Sequence, residues 1–519
     1  MASYSSSRSS YALVGAFLIA TLCACGGGGG GDSAGTEQTI SSTTPSPSAE
    51  ALSAWSGVAA FGLTDGGVAR GKSLAIGNDG QAHLFHGTFY VTEGTSTTSL
   101  TAFHKPWSGG WDTGQTLGPT VTTVYSWPPM PIGGRAYDGS TVRVDDAGNA
   151  LATWIYYDFH HASDRDGVSH VFFSRRDAST GKWTSPQILQ NDALASASDV
   201  YLAMEPSGLA WAVWTERTYK DPAFYANDQY AVFAAKFDPA VGWGAAEKVS
   251  GDVEWTIAAR IRTDGHGKPR VIIAWNNPYT GESTLWAARR FAEGTWGPLE
   301  TLAVAKPVVG GRGSEFRDYD LAIDATDDAV AIWREWTAGR YVIRSRHFTA
   351  VGGWEPAVDI QLSNAADGYA PQLAMDDAGN AFVAWHELVG PSRYVISTAR
   401  FEKSKGWTPP EVISSTARNS DDHSTFPKIA VDAAGNAVAI WTKYDFTLNQ
   451  TAVRANYYSR TNGWGTDATI AAGVAGNWEA ELAMSTELAM SKTGYAIAVW
   501  WQQVNNVFQS WSASRPPTP

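Results

Sequence analysis

Cysteine is nearly absent from this chain. Among 519 residues there are two, Cys23 and Cys25, and both lie close to the N-terminus. The remainder of the chain therefore cannot form an intramolecular disulfide, and its stability must come from buried apolar surface. That surface is plentiful, because 44% of the residues are hydrophobic and 24 are tryptophan.

Basic residues are in the minority as well. The chain has 38 Lys and Arg against 51 Asp and Glu, which gives a formal net charge of −13. This balance disfavours nucleic acid and anionic membrane surfaces as partners held by nonspecific attraction. Beyond the N-terminal segment, no stretch keeps a 3.6-residue apolar period over three turns, so a helical fold is disfavoured. The chain also shows no phosphate loop, and we expect no cofactor.

Long apolar runs are limited to the first 25 residues. Arg8 stands in a Ser-rich start, and residues 11–22 form the apolar run YALVGAFLIATL. This run is too short for a permanent membrane span and is typical of an export signal. Residues 26–31 are six consecutive glycines, and the Ser-, Thr- and Pro-rich residues that follow up to residue 50 predict a flexible tether.

The end of the export signal, Leu22-Cys23-Ala24-Cys25, resembles a bacterial lipobox. The resemblance implies a signal peptide over residues 1–25, a lipid anchor on Cys25 and a tether over 26–50. Gly26 rather than Asp at the second mature position implies transfer to the outer membrane. The expected location is therefore the bacterial cell envelope, with the membrane contacted through the lipid.

One ten-residue pattern recurs along the rest of the chain. It reads DDAGNALATW near residue 145, DDAGNAFVAW at 376 and DAAGNAVAIW at 432. Each copy alternates apolar residues on both sides of a turn that tolerates positive φ, which predicts a β-hairpin. Aligned on the final aromatic, the copies number eight and end at His86, Trp154, Trp214, Trp275, Trp333, Trp385, Trp441 and Trp500.

This spacing, with a third strand-like run and a Gly-Trp corner after each hairpin, is typical of a β-propeller blade. We predict an all-β chain with a single propeller over residues 51–515, built from eight four-stranded blades. The segment AWSGVAAFGL, which begins at Ala54, supplies the missing fourth strand of the last blade and closes the ring. A seven-bladed ring is the alternative, because the first copy has His86 in place of Trp.

The repeat resembles the Asp-box of sialidases and the TolB-type repeat. The shared feature is an Asp, one residue and a Gly, as in Asp146-Ala147-Gly148. In this chain the Trp comes six residues after the Gly and the leading Ser of the Asp-box is absent. The resemblance implies a propeller scaffold of this superfamily, and it carries over no catalytic residues.

Candidate site residues follow from the blade geometry. Loops that join the second strand to the third share one face with loops that enter each blade, and this loop face is the expected functional surface. The polar residues just after the motif's Trp predict a polar rim on the loop face. Glu216, Glu335, Glu387 and His386 are the candidate catalytic residues of this rim. Glu335 and Glu387 could act as acid and base on a glycoside if roughly 5–9 Å apart, and a hydrated rim is the alternative.

A second set opens the innermost strands and is expected to surround the mouth of the channel. Arg260 and Lys428 would face Asp320 and Glu487 in a mixed polar ring. Trp255 and Trp336 fall in loops and are candidates for stacking on a ligand. The loop holding His160, Asp164 and Asp166 could bind a metal, but adjacent histidines do not easily share one ion, and a solvated loop explains it better.

These observations predict an outer-membrane lipoprotein whose propeller binds a glycan or an envelope protein through its loop face. A polysaccharide-active enzyme is the alternative. It would be a glycoside hydrolase, sialidase-like, or a lyase, and it would use carboxylate, Tyr and His side chains of the same face.

Overall fold

The structure is a computed structural model that describes residues 55–517 with gaps. The gaps are residues 63–67, 93–94, 119–120, 125–136, 159–167, 190–194, 219–227, 256, 278, 306–315, 317, 338, 362–365, 391–392, 416–421, 447–449, 476–485 and 505–506. The predicted signal peptide, the tether and Cys25 lie outside the described residues. The metal candidates His160, Asp164 and Asp166 also lie outside the described residues.

All regular structure in the described part of the chain is β-strand, as the sequence predicts. Each repeat begins with an A strand that is paired with a B strand in an antiparallel hairpin. We number the repeats as units 1 to 8. Their A strands are β2 (Val68–Ile76), β7 (Tyr137–Val144), β11 (Ala195–Met204), β17 (Ile257–Thr263), β21 (Tyr319–Ile323), β26 (Asp367–Met375), β31 (Asp422–Val431) and β36 (Glu487–Met490).

The B strand contains the motif's final aromatic, and a C strand pairs with its other edge. The B strands are β3 (Ala82–Thr92), β8 (Ala150–Asp158), β12 (Ala210–Thr218), β18 (Pro269–Asn276), β22 (Ala329–Thr337), β27 (Ala381–Gly390), β32 (Ala437–Asp445) and β37 (Ala496–Val504). The C strands are β4 (Thr95–Lys105), β9 (Val168–Arg176), β13 (Gln229–Asp238), β19 (Ser283–Arg289), β23 (Arg340–Thr349), β28 (Arg393–Glu402), β33 (Gln450–Ser459) and β38 (Val507–Arg515).

The outer edge of each unit is built from shorter pieces. In four units the Gly-Trp corner forms a short strand that pairs with the end of the C strand, for example Trp407 with Phe401. In units 2 and 4, Trp183 and Trp296 form isolated bridges at the same place. The pieces are β5 (Gln115–Thr116), β6 (Val121–Val124), β10 (Gln187–Ile188), β14 (Gly242–Trp243), β15 (Glu247–Lys248), β16 (Val253–Glu254), β20 (Glu300–Ala305), β24 (Gly353–Trp354), β25 (Val358–Asp359), β29 (Gly406–Trp407), β30 (Glu411–Val412), β34 (Gly463–Trp464) and β35 (Ala468–Ala475).

The remaining strand, β1 (Ser56–Phe61), comes from the N-terminal side of the described chain. It pairs antiparallel with β38, where Ala60 lies opposite Trp511. The sheet order is therefore β1-β38-β37-β36, so the first and last described strands share one sheet. This is the pairing that the likeness of residues 54–63 to the Gly-Trp strands predicts.

The A strands contact one another in sequence order. β2 contacts β7, and the series continues through β11, β17, β21, β26 and β31 to β36. β36 also contacts β2, so the first and last units are neighbours. The core lies between the sheets of adjacent units. The final Trp of the motif is at most 1% exposed in six units: Trp154, Trp214, Trp333, Trp385, Trp441 and Trp500.

The A–B turn explains why the same residues recur. In unit 6, Asp376 Oδ1 accepts the backbone N–H groups of Ala378 at 3.0 Å and Asn380 at 2.8 Å. Its Oδ2 accepts the Asn380 side-chain amide at 3.0 Å. Gly379 adopts a φ of +83°, and a Cβ there would lie 2.4 Å from Asp324 Oδ2 of unit 5. The motif's Gly is thus required both by the turn and by the neighbouring unit.

Candidate functional site

A continuous series of aromatic rings lies at the loop face of units 5, 6 and 7. Ring centroids are 4.7 Å apart for Trp336 and Tyr341, 5.5 Å for Tyr341 and Tyr369, and 5.4 Å for Tyr369 and His386. From His386 the contacts extend to Tyr394, His423, Phe426 and Phe446. We call these eight residues, Trp336, Tyr341, Tyr369, His386, Tyr394, His423, Phe426 and Phe446, the aromatic cluster.

The strand register explains why these rings meet. Tyr369 near the start of β26 lies opposite His386 on β27. Trp336, expected in a loop, lies instead in β22 opposite Tyr341. A single parallel bridge between Tyr394 and His423 joins units 6 and 7. Each of these positions is at the end of a sheet where A strands begin and B strands finish. The cluster therefore lies on the loop face, which the sequence identifies as the functional surface.

Phe426 is the most unusual member of the cluster. Its backbone has a φ of +53°, which a bulky side chain adopts rarely. The strain occurs at a bulge in β31, where the register with β32 shifts between Thr425 and Lys428. The ring is nevertheless 43% exposed, and Phe446 beside the cluster is 44% exposed. The same bulge with positive φ occurs at the equivalent positions of units 2, 3 and 6, at Gly139, Asp199 and Ala370, so the conformation belongs to the repeat. Unit 7 differs in presenting an exposed aromatic ring at this position.

His386 holds this strained residue in place. Its Nδ1 accepts the backbone N–H of Phe426 at 3.3 Å, and its ring lies 5.3 Å from the Phe426 ring. Burial, together with smaller electrostatic contributions from Arg334 and His423, lowers the pKa of His386 to about 3. The imidazole is therefore neutral at physiological pH and is 7% exposed. These contacts give His386 a positioning role for Phe426.

One ion pair and one carboxylate accompany the rings. Arg334 Nε lies 3.0 Å from Asp318 Oδ2, and its guanidinium lies 4.5 Å from the centre of the Tyr341 ring. Asp367 accepts the Tyr369 hydroxyl at 3.1 Å. Burial raises the pKa of Tyr369, and the negative charge of Asp367 raises it further. The phenol is therefore protonated and can act as a hydrogen-bond donor.

The candidate glutamates have partners within their own units. Trp214 Nε1 donates to Glu216 at 2.8 Å, and Trp333 Nε1 donates to Glu335 at 2.9 Å. Arg344 also lies 3.3 Å from Glu335. Glu387 is 0% exposed and accepts the Ser397 hydroxyl at 2.8 Å.

The expectation of an open rim is wrong for Glu216, which is 7% exposed, and for Glu387. Residues two apart on a strand share a face, so the residue two after the motif's Trp shares the buried face of that Trp. A fully buried Glu387 cannot flank a soluble substrate together with Glu335.

The four predicted channel residues come together as neighbouring pairs. Arg260 Nη1 lies 4.0 Å from Asp320 Oδ1, and Lys428 Nζ lies 3.4 Å from Glu487 Oε1. Their expected place at the opening of the strands is wrong for Arg260, which lies in the middle of β17, and for Lys428, which lies well inside β31 and two residues after the bulge at Phe426. Arg260 and Lys428 therefore lie deeper along their strands than predicted.

Trp255 forms a separate aromatic pair in unit 4. It has a φ of +76°, and its ring centroid is 4.3 Å from that of Tyr279, which is 77% exposed. Among the described residues, no group of three or more His, Cys, Asp and Glu side chains is arranged to hold a metal ion. In the same part of the chain, no helix is long and apolar enough to cross a membrane.

Comparison with known proteins finds a likeness in solved structures alone. No protein-family model matches the chain, and no curated protein matches it. A polysaccharide lyase, an ulvan lyase, is 11% identical with a TM-score of 0.44, covering 88% of this chain and 95% of that one. A variant of the NanB sialidase of Streptococcus pneumoniae is 10% identical with a TM-score of 0.35, covering 89% and 96%.

A third structure, an α-L-arabinofuranosidase of Fusarium graminearum with arabinobiose, is also 10% identical. Its TM-score is 0.34, and the match covers 63% of this chain and 94% of the other. The architecture described above follows from the strand pairing of this chain itself.

Proposed function

We propose that this chain is a glycan-binding β-propeller and that the aromatic cluster is its binding surface. The observation that carries the proposal is Phe426, an exposed ring on a strained backbone at the margin of a series of packed rings. Apolar faces of sugar rings stack on aromatic side chains, and hydrogen-bond donors and acceptors beside them fix orientation. The phenol of Tyr369 and the ion pair of Arg334 with Asp318 supply such groups.

The proposed scaffold is a closed ring of eight four-stranded blades, of the superfamily that the turn motif resembles. The support is the series of A-strand contacts that returns from β36 to β2, together with the pairing of β1 with β38. Unit 1 forms the same hairpin as the others although His86 replaces the Trp. This arrangement gathers the loops of all units on one face.

We further propose that Cys25 is lipidated and that residues 26–50 tether the propeller to the outer membrane. The likeness of residues 22–25 to a lipobox supports this. Metabolic labelling with a radioactive fatty acid should mark the full chain and should not mark Cys25→Ser. Labelling of the variant would contradict the anchor.

The binding proposal is tested with Phe426→Gly. Glycine tolerates a φ of +53°, so the substitution removes the ring without a cost in backbone strain. The full chain, purified in detergent, is run in native gels containing one of a panel of neutral and acidic polysaccharides. We expect the wild type to be retarded by at least one polysaccharide, and the variant to bind it about tenfold more weakly.

Trp107→Ala is the matched control, since Trp107 is 49% exposed and lies beside Gly80 in the A–B turn, at the opposite end of the sheets. It should bind as the wild type does. Equal retardation of Phe426→Gly and wild type would refute the assignment of the cluster. Reducing ends or unsaturated products in the same incubations would favour the enzyme alternative, a hydrolase or a lyase.

A further inference from the structure

Unit 4 has a second group of aromatic rings on the loop face, apart from the aromatic cluster. Trp255 lies in the connection from unit 3 to the A strand β17, and Tyr279 lies in the connection from β18 to β19. Their ring centroids are 4.3 Å apart, with the planes inclined by 49°. Connections of both kinds reach the loop face, so the two rings form one platform there. We call Trp255 and Tyr279 the unit 4 pair.

The backbone of Trp255 is strained at a position where the repeat requires no strain. Among the described residues, five that are not glycine have a positive φ. Three of them, Asp199, Ala370 and Phe426, are at the A-strand bulge, and Asp327 takes the place of the turn's glycine. In this part of the chain, only Trp255, with a φ of +76°, lies outside these repeated positions. Such outliers are concentrated at ligand sites, where the surrounding structure enforces them.

The motif's Trp of unit 4 holds the backbone next to Trp255. Trp275 Nε1 donates to the backbone oxygen of Glu254 at 2.7 Å, and Glu254 directly precedes Trp255. Trp275 is only partly buried, whereas the motif's Trp is at most 1% exposed in six other units. Unit 4 therefore departs from the repeat, because its motif Trp fixes the connection that presents Trp255 instead of lying fully in the core.

Tyr279 is fixed on a tight hairpin although the residue is 77% exposed. Asn277 Oδ1 accepts the backbone N–H groups of Tyr279 at 2.9 Å and Thr280 at 3.1 Å. The Asn277 backbone forms two more bonds, one donated to Glu282 O and one accepted from Gly281 N, both at 2.8 Å. A ring that is held in place before a ligand arrives loses little conformational entropy on binding. The hairpin is therefore suited to stacking on a ligand.

Two exposed carboxylates flank the rings. Glu254 precedes Trp255, and Glu282 ends the hairpin of Tyr279. Neither carboxylate forms an ion pair within the described part of the chain. Lys248, the basic residue of the connection that contains Glu254, pairs with a different carboxylate. Carboxylates accept hydrogen bonds from sugar hydroxyl groups and repel anionic groups, so the platform favours a neutral sugar.

We propose that the unit 4 pair is a second sugar-binding subsite and that it selects neutral polysaccharides. Trp255 and Tyr279 stack on sugar rings, while Glu254 and Glu282 accept hydroxyl groups and repel anionic sugars. This subsite rests on the proposed glycan binding by the aromatic cluster, since unit 4 contacts unit 5 and both groups lie on the loop face. Adjacent sheets pack roughly 10 Å apart, so one polysaccharide chain can contact both groups.

The test uses the full chain in detergent, run in native gels that contain laminarin, dextran or arabinoxylan as neutral probes and alginate or polygalacturonate as acidic probes. We expect at least one neutral probe to retard the wild type, and each acidic probe to retard it less. Tyr279→Ala should weaken the neutral interaction about tenfold, and Tyr279→Phe, which keeps the ring, should not. Because Tyr279 is largely exposed, the Tm of Tyr279→Ala should equal that of the wild type.

Trp255→Gly is the second variant, since glycine tolerates a φ of +76°. It should weaken the same interaction by a similar factor. The double substitution Glu254→Gln and Glu282→Gln removes both charges, so it should increase the retardation by alginate relative to that by the neutral probe. Trp107→Ala, at the opposite end of the sheets, is again the control and should bind as the wild type does.

Three results would overturn the inference. The first is unchanged binding of Tyr279→Ala and Trp255→Gly to a probe that retards the wild type. The second is stronger retardation of the wild type by an acidic probe than by every neutral one. The third is an equal loss in Tyr279→Phe and Tyr279→Ala, which would assign the contact to the hydroxyl group and not to the ring.

The variants also separate this inference from the proposed function. Weak binding by Phe426→Gly with normal binding by Tyr279→Ala would leave the aromatic cluster as the binding surface and refute only the unit 4 pair. The reverse result would refute the aromatic cluster and retain the unit 4 pair. A wild type that no probe retards would refute both.

Discussion

Replacing Gly379 by alanine adds one atom, the Cβ, to the A–B turn of unit 6. The new Cβ would lie 2.4 Å from Asp324 Oδ2, and the backbone would keep a φ of +83°. Left-handed backbone costs an alanine roughly 1–2 kcal/mol. Asp324 cannot move freely, because Lys403 Nζ donates to the same oxygen at 2.5 Å. With the cost of overpacking added, the free energy of unfolding should fall by roughly 2–5 kcal/mol.

Alanine substitutions at two other glycines separate the energetic cost of backbone strain from the cost of contact between units. Gly435 has a φ of +81° and a Cβ position 3.3 Å from Asp376 Oδ2, whereas Gly463 has a φ of +76° and nothing within 4 Å. Alanine at Gly463 should cost only the roughly 1–2 kcal/mol of backbone strain, and Gly435→Ala should be intermediate. Urea unfolding followed by tryptophan fluorescence measures all three. Equal losses in the three variants would refute the role of contact between units.

Two further predictions concern buried titratable side chains. The pKa of His386 is lowered to about 3 from its ordinary 6.5. Protonation therefore favours the unfolded chain, so the free energy of unfolding is unaffected above about pH 6.5 and decreases as the pH falls from 6.5 towards 3. At about pH 5 the loss is roughly 2 kcal/mol, and His386→Phe should show a correspondingly smaller drop in thermal stability between about pH 7.5 and 5; an unchanged drop would contradict the burial argument. Arg270 is 1% exposed, pairs with Asp327 at 2.8 Å and lies 3.8 Å from the centre of the Phe348 ring. Arg270→Ala should cost about 3–5 kcal/mol in urea unfolding and Arg270→Met less, because Met retains packing; equal costs would show that the ion pair outweighs the packing.

Much of the fold is predictable because its determinants are local. The D-A-G-N sequence specifies a turn by side-chain bonds within five residues, as Asp376 and Asn380 show. The second of two near-identical segments, ELAM at residues 487–490, forms the A strand of unit 8 as its position before the turn indicates. The likeness of residues 54–63 to other outer strands likewise identifies the partner of β38.

The candidate site is less predictable, because its members come from three units. Trp336 and His386 are recognisable from their place after the motif. Tyr369, Tyr394 and Phe426 lie in stretches with no motif, and no signal at those positions marks them as members of one cluster. The positive φ of Phe426 occurs at a bulge in the pairing with β32, and Pro427 within the strand and Gly139 at the equivalent position of unit 2 are the residue types that such a bulge favours.

The amino-acid sequence alone thus determines the hairpin, its turn and its repetition, since these depend on bonds between residues close along the chain. The tertiary structure alone decides which rings and charges meet, because the packing of successive sheets sets distances between residues that are remote in sequence.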